Sequence, residues 1–108
     1  MTFQVLLTDS AAGDLEDIYR YVAQHDAPEK AAHLVDQLKE VFANLSHSPD
    51  RGAFPKELLA LGIREYREVF FKPYRIIYRI VDKAVYVMLM LDGRRDMQAL
   101  LQRRLLEA

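Results

Sequence analysis

The spacing of apolar residues changes period midway along this chain. Up to about residue 45 they recur every three or four positions, as on one face of a helix, and from Ile63 they alternate with polar residues, as in a half-buried strand. Residues 3–8 (FQVLLT) form a short apolar run that predicts a strand, and Asp9-Ser10 behind it offer helix-capping oxygens. Leu15, Ile18, Tyr19 and Val22 then share one helical face, which predicts a helix over 10–24. Asp26-Ala27-Pro28-Glu29 has the form of a capping box, with Pro28 tolerated in a first turn whose amides lack partners, so a second helix starts near Pro28. Ala31, Val35, Leu38, Val41, Phe42 and Leu45 make its stripe, and the short break between the two predicts an antiparallel hairpin. Residues 46–52 (SHSPDRG) are dense in turn formers and end the helical half. Residues 53–62 read either as a loop or as a short helix.

In the second half, Tyr74, Ile76, Tyr78 and Ile80 alternate with Arg75, Ile77, Arg79 and Val81, which places Arg75 and Arg79 on one face of a strand. Lys72-Pro73 and Asp82-Lys83 mark the turns on either side. Residues 84–91 are apolar at every position, the pattern of a central strand covered on both faces. Asp92-Gly93-Arg94-Arg95-Asp96 breaks the sheet, and Met97, Leu100, Leu101 and Leu105 predict a C-terminal helix. The sequence thus predicts one α+β domain over residues 1–108. Its parts are an N-terminal strand, an antiparallel helical hairpin packed on a twisted antiparallel β-sheet, and a short C-terminal helix.

Composition narrows the chemistry. The chain has no cysteine, so disulfides, thiolate nucleophiles and Cys-based zinc sites are excluded together. The three histidines, His25, His33 and His47, share no metal-ligand spacing and read as surface or cap-proximal groups, and no motif implies a metal or an organic cofactor. No apolar run approaches the ~20 residues of a membrane span. The N-terminus lacks the basic start of a secretory signal, which makes the cytoplasm the expected compartment.

The net charge of −1 conceals an asymmetry. Up to Gly62 there are five basic against ten acidic residues, a net of −5; from Ile63 onward there are ten against six, a net of +4. An acidic helical half and a basic sheet half give the surface a dipole. Arginine stays protonated at physiological pH and presents a planar fork suited to phosphate or carboxylate, so this set either meets an anionic partner or is held in ion pairs. On the second reading Arg75 pairs with Glu65 or Glu68 across the hairpin, and Asp92 caps the last helix or clamps Arg94. Tyr74 and Tyr78 read as packed on the sheet rather than stacked on bases.

Several segments, in this order, resemble the RelE/ParE toxins of bacterial type II toxin–antitoxin modules. They are the strand leading through Thr8 and Ala11 into Asp14-Leu15-Glu16-Asp17-Ile18-Tyr19, the second helix running out to Ser48-Pro49, the Gly62-Ile63-Arg64 approach to the sheet, Pro73-Tyr74-Arg75-Ile76-Ile77-Tyr78, and Asp92-Gly93-Arg94-Arg95-Asp96. The resemblance implies a toxin neutralised by a cognate antitoxin in a toxin–antitoxin hetero-oligomer, with DNA gyrase or ribosome-bound mRNA as its target. For a ribonuclease of RelE type it implies Glu57 as base, Arg75 holding the phosphate with Arg64 or Arg67 assisting, and Asp92 in the place of the acid. Members of that type usually carry His or Tyr after the last strand, where this chain has Asp92-Gly93. Gly93-Arg94-Arg95 is closer to the gyrase-directed members, and for them the target-binding set is Arg67, Arg75, Arg94 and Arg95. The resemblance thus favours inhibition of an essential machine by protein contact over metal-independent RNA cleavage. A toxin that has lost activity and survives as an antitoxin-binding subunit is the third class it allows.

Overall fold

The computed structural model describes residues 2–107. Strand β1 (Gln4–Leu7) leads directly into helix α1 (Asp9–His25), and helix α2 (Pro28–Ala43) folds back against it. A 3-10 turn (Asn44–Ser46) and a loop reach the short helix α3 (Lys56–Leu59), so residues 53–62 contain a helix. Strands β2 (Tyr66–Phe71), β3 (Tyr74–Val81) and β4 (Ala84–Asp92) form a meander, followed by helix α4 (Met97–Leu101) and one turn of π-helix (Gln102–Leu106). The sheet order is β1-β4-β3-β2. β2, β3 and β4 pair antiparallel as expected, while β1 joins the sheet parallel to β4.

β4 is therefore an inner strand, and its unbroken apolar sequence has a use on each side. On one face Val85, Val87 and Met90 join Ile76 and Tyr78 of β3 in a core with Ala11, Leu38, Phe42 and Leu45 of the helical half. On the other, Leu89 and Leu91 join Ile77, Tyr66, Leu58, Met97 and Leu101 beneath α3 and α4. The switch of parity between Val87 and Met90 is a β-bulge: Ile77 pairs with Leu89 but Tyr78 with Val87, leaving Met88 as the extra residue.

Two caps differ from expectation. Helix α1 is capped by Thr8, whose Oγ1 accepts from Ala11 N at 3.1 Å, because the chain leaves β1 one residue earlier than the Asp9-Ser10 pair implied. At α2 the N-cap is Ala27 and makes no side-chain cap bond; Pro28 stands at the first turn, and Asp26 instead pairs with Lys30 at 3.2 Å. The capping box is not formed. Tyr19, expected on the buried stripe of α1, is 40% exposed, and the buried positions are Ala11 and Asp14. Among the described residues no helix is long and apolar enough to cross a membrane.

Candidate functional site

Alternation along β3 puts Arg75 on the α3/α4 side of the sheet, and the residue is only 8% exposed. Its Nη1 and Nη2 donate to the two oxygens of Glu57 at 2.8 Å each, and its Nε donates to Glu68 Oε1 at 2.8 Å. A planar guanidinium between two carboxylates is the bidentate geometry that Arg, unlike Lys, can make. Arg75 holds the Glu57 carboxyl below its ordinary range by these hydrogen bonds, whereas burial pushes Glu68 up. Gly93 completes the site: a Cβ there would stand 2.9 Å from Arg75 Cδ, and Gly93 N donates to Pro73 O at 2.8 Å. Its small size, rather than a special turn conformation, is what the position requires.

Asp92 lies on the opposite face. It pairs in register with Tyr74, whose ring packs against the α1/α2 core, whereas Arg75 pairs with Leu91 of the other core. Both Asp92 oxygens are taken by Arg94: Oδ1 accepts from Arg94 N and Nε at 2.9 Å, and Oδ2 from Nη2 at 2.6 Å. These bonds hold the carboxyl at a pKa of about 2. Asp96, next in the loop, caps α4 through Ala99 N at 3.2 Å. Of the two roles open to Asp92, the structure shows the clamp on Arg94.

The remaining arginines are scattered. Arg67 donates from Nη1 to the carbonyls of Gly52 (2.9 Å) and Asp50 (3.2 Å) and lies 4.5 Å over the Phe54 ring, pinning the loop before α3. Arg64 is exposed near Arg79, which pairs with Glu65 at 3.6 Å. Glu57 and Arg75 are thus brought together, while Asp92, Arg64 and Arg67 stand elsewhere. Tyr78 is packed in the core, with its hydroxyl donating to Pro49 O at 2.5 Å and accepting from Gly52 N at 3.0 Å.

Arg94 and Arg95 border a cleft of about 670 Å³ between α1, the ends of β3 and β4, and the C-terminal segment. Arg103 and Arg104 also line it, together with Tyr21, Tyr74, Ile18 and Leu100. Burial and the nearby Asp92 charge raise the Tyr74 phenol above its ordinary value, so it stays protonated at neutral pH. Arg104 is fixed by Asp14, whose Oδ1 and Oδ2 accept from the arginine's Nη1 (3.1 Å) and Nη2 (2.9 Å) and whose Oδ2 also accepts from Met90 N (3.1 Å). Beyond the end of β1 the edge of β4 has no neighbouring strand among the described residues, and Asp14, Thr8 and Arg104 satisfy the polar groups around the bulge. Sequence reasoning did not single out Asp14, Arg103 or Arg104. The available signal was an aspartate three residues from Ala11 and four from Ile18, on the apolar stripe itself.

The family model described as the ParE toxin of the type II toxin–antitoxin system parDE matches residues 5–97. Toxin ParE3 of Caulobacter vibrioides is 28% identical over 101 residues, which cover 94% of this chain and 97% of that protein. Among solved structures, a chain of the chromosomal ParDE system from P. aeruginosa is similar with a TM-score of 0.70 at 22% identity, over 82% of this chain and 94% of that one. A RelE mutant from E. coli in the free state gives 0.61 at 15% identity over 97% and 100%. The RelBE2 toxin–antitoxin complex of Mycobacterium tuberculosis gives 0.56 at 21% identity over 85% and 92%. These structures share the fold, and the family match runs from β1 to the start of α4. The chain belongs to the ParE toxin family of type II toxin–antitoxin systems.

Proposed function

We propose that this toxin arrests growth in the cytoplasm by binding and inhibiting DNA gyrase, and that a cognate antitoxin silences it in a hetero-oligomer. The observation that carries the reading is the separation of the groups an RNA-cleaving site would need. Cleavage through the 2′-hydroxyl requires a base, a cation at the phosphate and an acid around one scissile bond. Glu57 and Arg75 neutralise each other beneath α3, while Asp92 sits across the sheet as an ion-paired carboxylate with a pKa of about 2. Such a group is ionised at neutral pH and donates no proton. Exposed cations beside a concave surface suit macromolecular contact instead, and Arg94 and Arg95 are exposed at the end of the sheet.

For the antitoxin, a shallow groove lined by Leu7, Leu15, Tyr19 and Val35 runs along the helical hairpin beside β1, whose far edge has no strand neighbour among the described residues. An amphipathic segment that folds on binding suits such a surface. The test of the target assigns purified toxin to two reactions in parallel: supercoiling and DNA cleavage by gyrase, and cleavage of mRNA on translating ribosomes. Inhibited supercoiling with intact message is the expected result. Cut message with unaffected gyrase would establish the ribonuclease reading.

A further inference from the structure

The charges around the cleft do not all close on one another. Arg94 is neutralised by Asp92 and Arg104 by Asp14, at 2.6 and 2.9 Å. Arg95 and Arg103 also line the cleft and are exposed; among the described residues neither closes an ion pair, although Arg95 lies near enough to Asp92 to act on its charge. Two guanidinium groups without an ion pair therefore line a concavity whose partly exposed apolar residues are Ile18 and Leu100. Its volume of about 670 Å³ falls within the range that encloses a small ligand or a few residues of chain. Tyr21, 62% exposed and stacked on His25 at 4.1 Å, stands at its side as a large, already ordered contact surface.

We propose that this cleft is the docking site for an extended acidic segment of the toxin's protein target, with one apolar residue of that segment set against Ile18 and Leu100. The assignment rests on the gyrase reading above and names the chemistry of the contact. Charge decides between a peptide and a nucleic acid. Asp14, Asp17 and Asp92 share the walls with the four arginines, so the lining carries a net charge of only +1. A phosphodiester strand places a charge at every nucleotide and meets those carboxylates, whereas a peptide sets a carboxylate against Arg95 or Arg103 and keeps its other positions neutral. Position decides between target and antitoxin. The cleft uses Asp14, Asp17, Ile18 and Tyr21 of α1, and the apolar groove uses Ala12, Leu15, Glu16 and Tyr19, which at 100° per residue are opposite flanks of the helix. The two surfaces therefore share no lining residue of α1, and substitutions in the cleft can be read apart from antitoxin binding at the groove.

The test titrates intact gyrase, and overlapping peptides spanning both of its subunits, against the wild-type toxin and two variants. These are Arg95→Glu with Arg103→Glu, and Arg95→Gln with Arg103→Gln, which removes charge without adding repulsion and keeps the test decisive if the reversal unfolds. The expected result is binding of gyrase and of a peptide rich in Asp and Glu, weakened at least about tenfold by either pair of substitutions, as for lost complementary charges at an interface. Antitoxin binding and melting temperature stay at the wild-type level. A folded variant that binds and inhibits gyrase like the wild type overturns the cleft and leaves the gyrase reading standing. Loss of antitoxin binding with unchanged gyrase binding overturns it as well, as does capture of a single-stranded oligonucleotide and no peptide. A wild-type toxin without effect on gyrase overturns the reading and this assignment together.

Discussion

The guanidinium of Arg75 is enclosed by Glu57 and Glu68, with side chains about one tenth exposed or less, which makes it a structural cation before it is anything else. Removing one partner of a buried charged network leaves the others uncompensated, so Arg75→Ala is expected to cost about 3–5 kcal/mol in unfolding free energy, read by urea denaturation. Adding Glu57→Gln and Glu68→Gln to Arg75→Met should recover part of that loss, because no buried charge then stands alone. An Arg75→Ala protein of wild-type stability would show that the network contributes nothing. Asp92 permits a second test. Its folded pKa of about 2 lies below the ordinary 3.8, so its pairing with Arg94 stabilises the loop above pH ~3.8 and is lost as pH falls toward 2. Carboxyl NMR should place the midpoint near 2, rising toward the ordinary value in Arg94→Ala; a midpoint above 5 would return Asp92 to the list of acids. The Arg75–Glu68 and Asp92–Arg94 pairs were both legible as alternatives from strand spacing and sequence proximity. Glu57 was legible only through the family resemblance, since nothing local says that a residue 18 positions away closes on Arg75.

Among the elements, the loop before α3 is held by Tyr78 and by the absence of a side chain at Gly52. A Cβ at Gly52 would lie 2.5 Å from the Tyr78 hydroxyl and 2.7 Å from Glu68 O. Tyr78→Phe leaves Gly52 N and Pro49 O without their partner and should cost about 1–3 kcal/mol; Gly52→Ala should cost about the same by overpacking. Thermal melts of the two single variants and the double measure this. Because both changes disturb one contact, the double is expected to lose less than their sum, and full additivity would contradict the shared contact. The elements themselves were legible because periodicity is dictated by burial. Their junctions were not: Thr8 caps α1 while its hydroxyl also reaches the carbonyls of Val87 and Met88, and the bulge at Met88 shifts the register of β4 against β3. Both are tertiary requirements with no local signature.

For the whole molecule, α1 separates two surfaces: a groove lined by Leu7, Leu15, Tyr19 and Val35 on one flank and the arginine-bearing cleft on the other, the one proposed here for the antitoxin and the other for the target. Tyr19→Glu, on the groove side and away from the core, should weaken antitoxin binding about tenfold, as for an anchor residue of an interface, with little change in melting temperature. Calorimetry with the antitoxin checks this, and unchanged affinity would move the antitoxin elsewhere. The central claim is that the toxin acts on gyrase rather than on message. Its most direct test is one culture induced to make the toxin without antitoxin, from which DNA ends and RNA 5′ ends are sequenced together. Accumulating DNA breaks with an unchanged map of RNA ends within coding sequence is the result predicted here; new RNA ends within reading frames, with intact DNA, would contradict it.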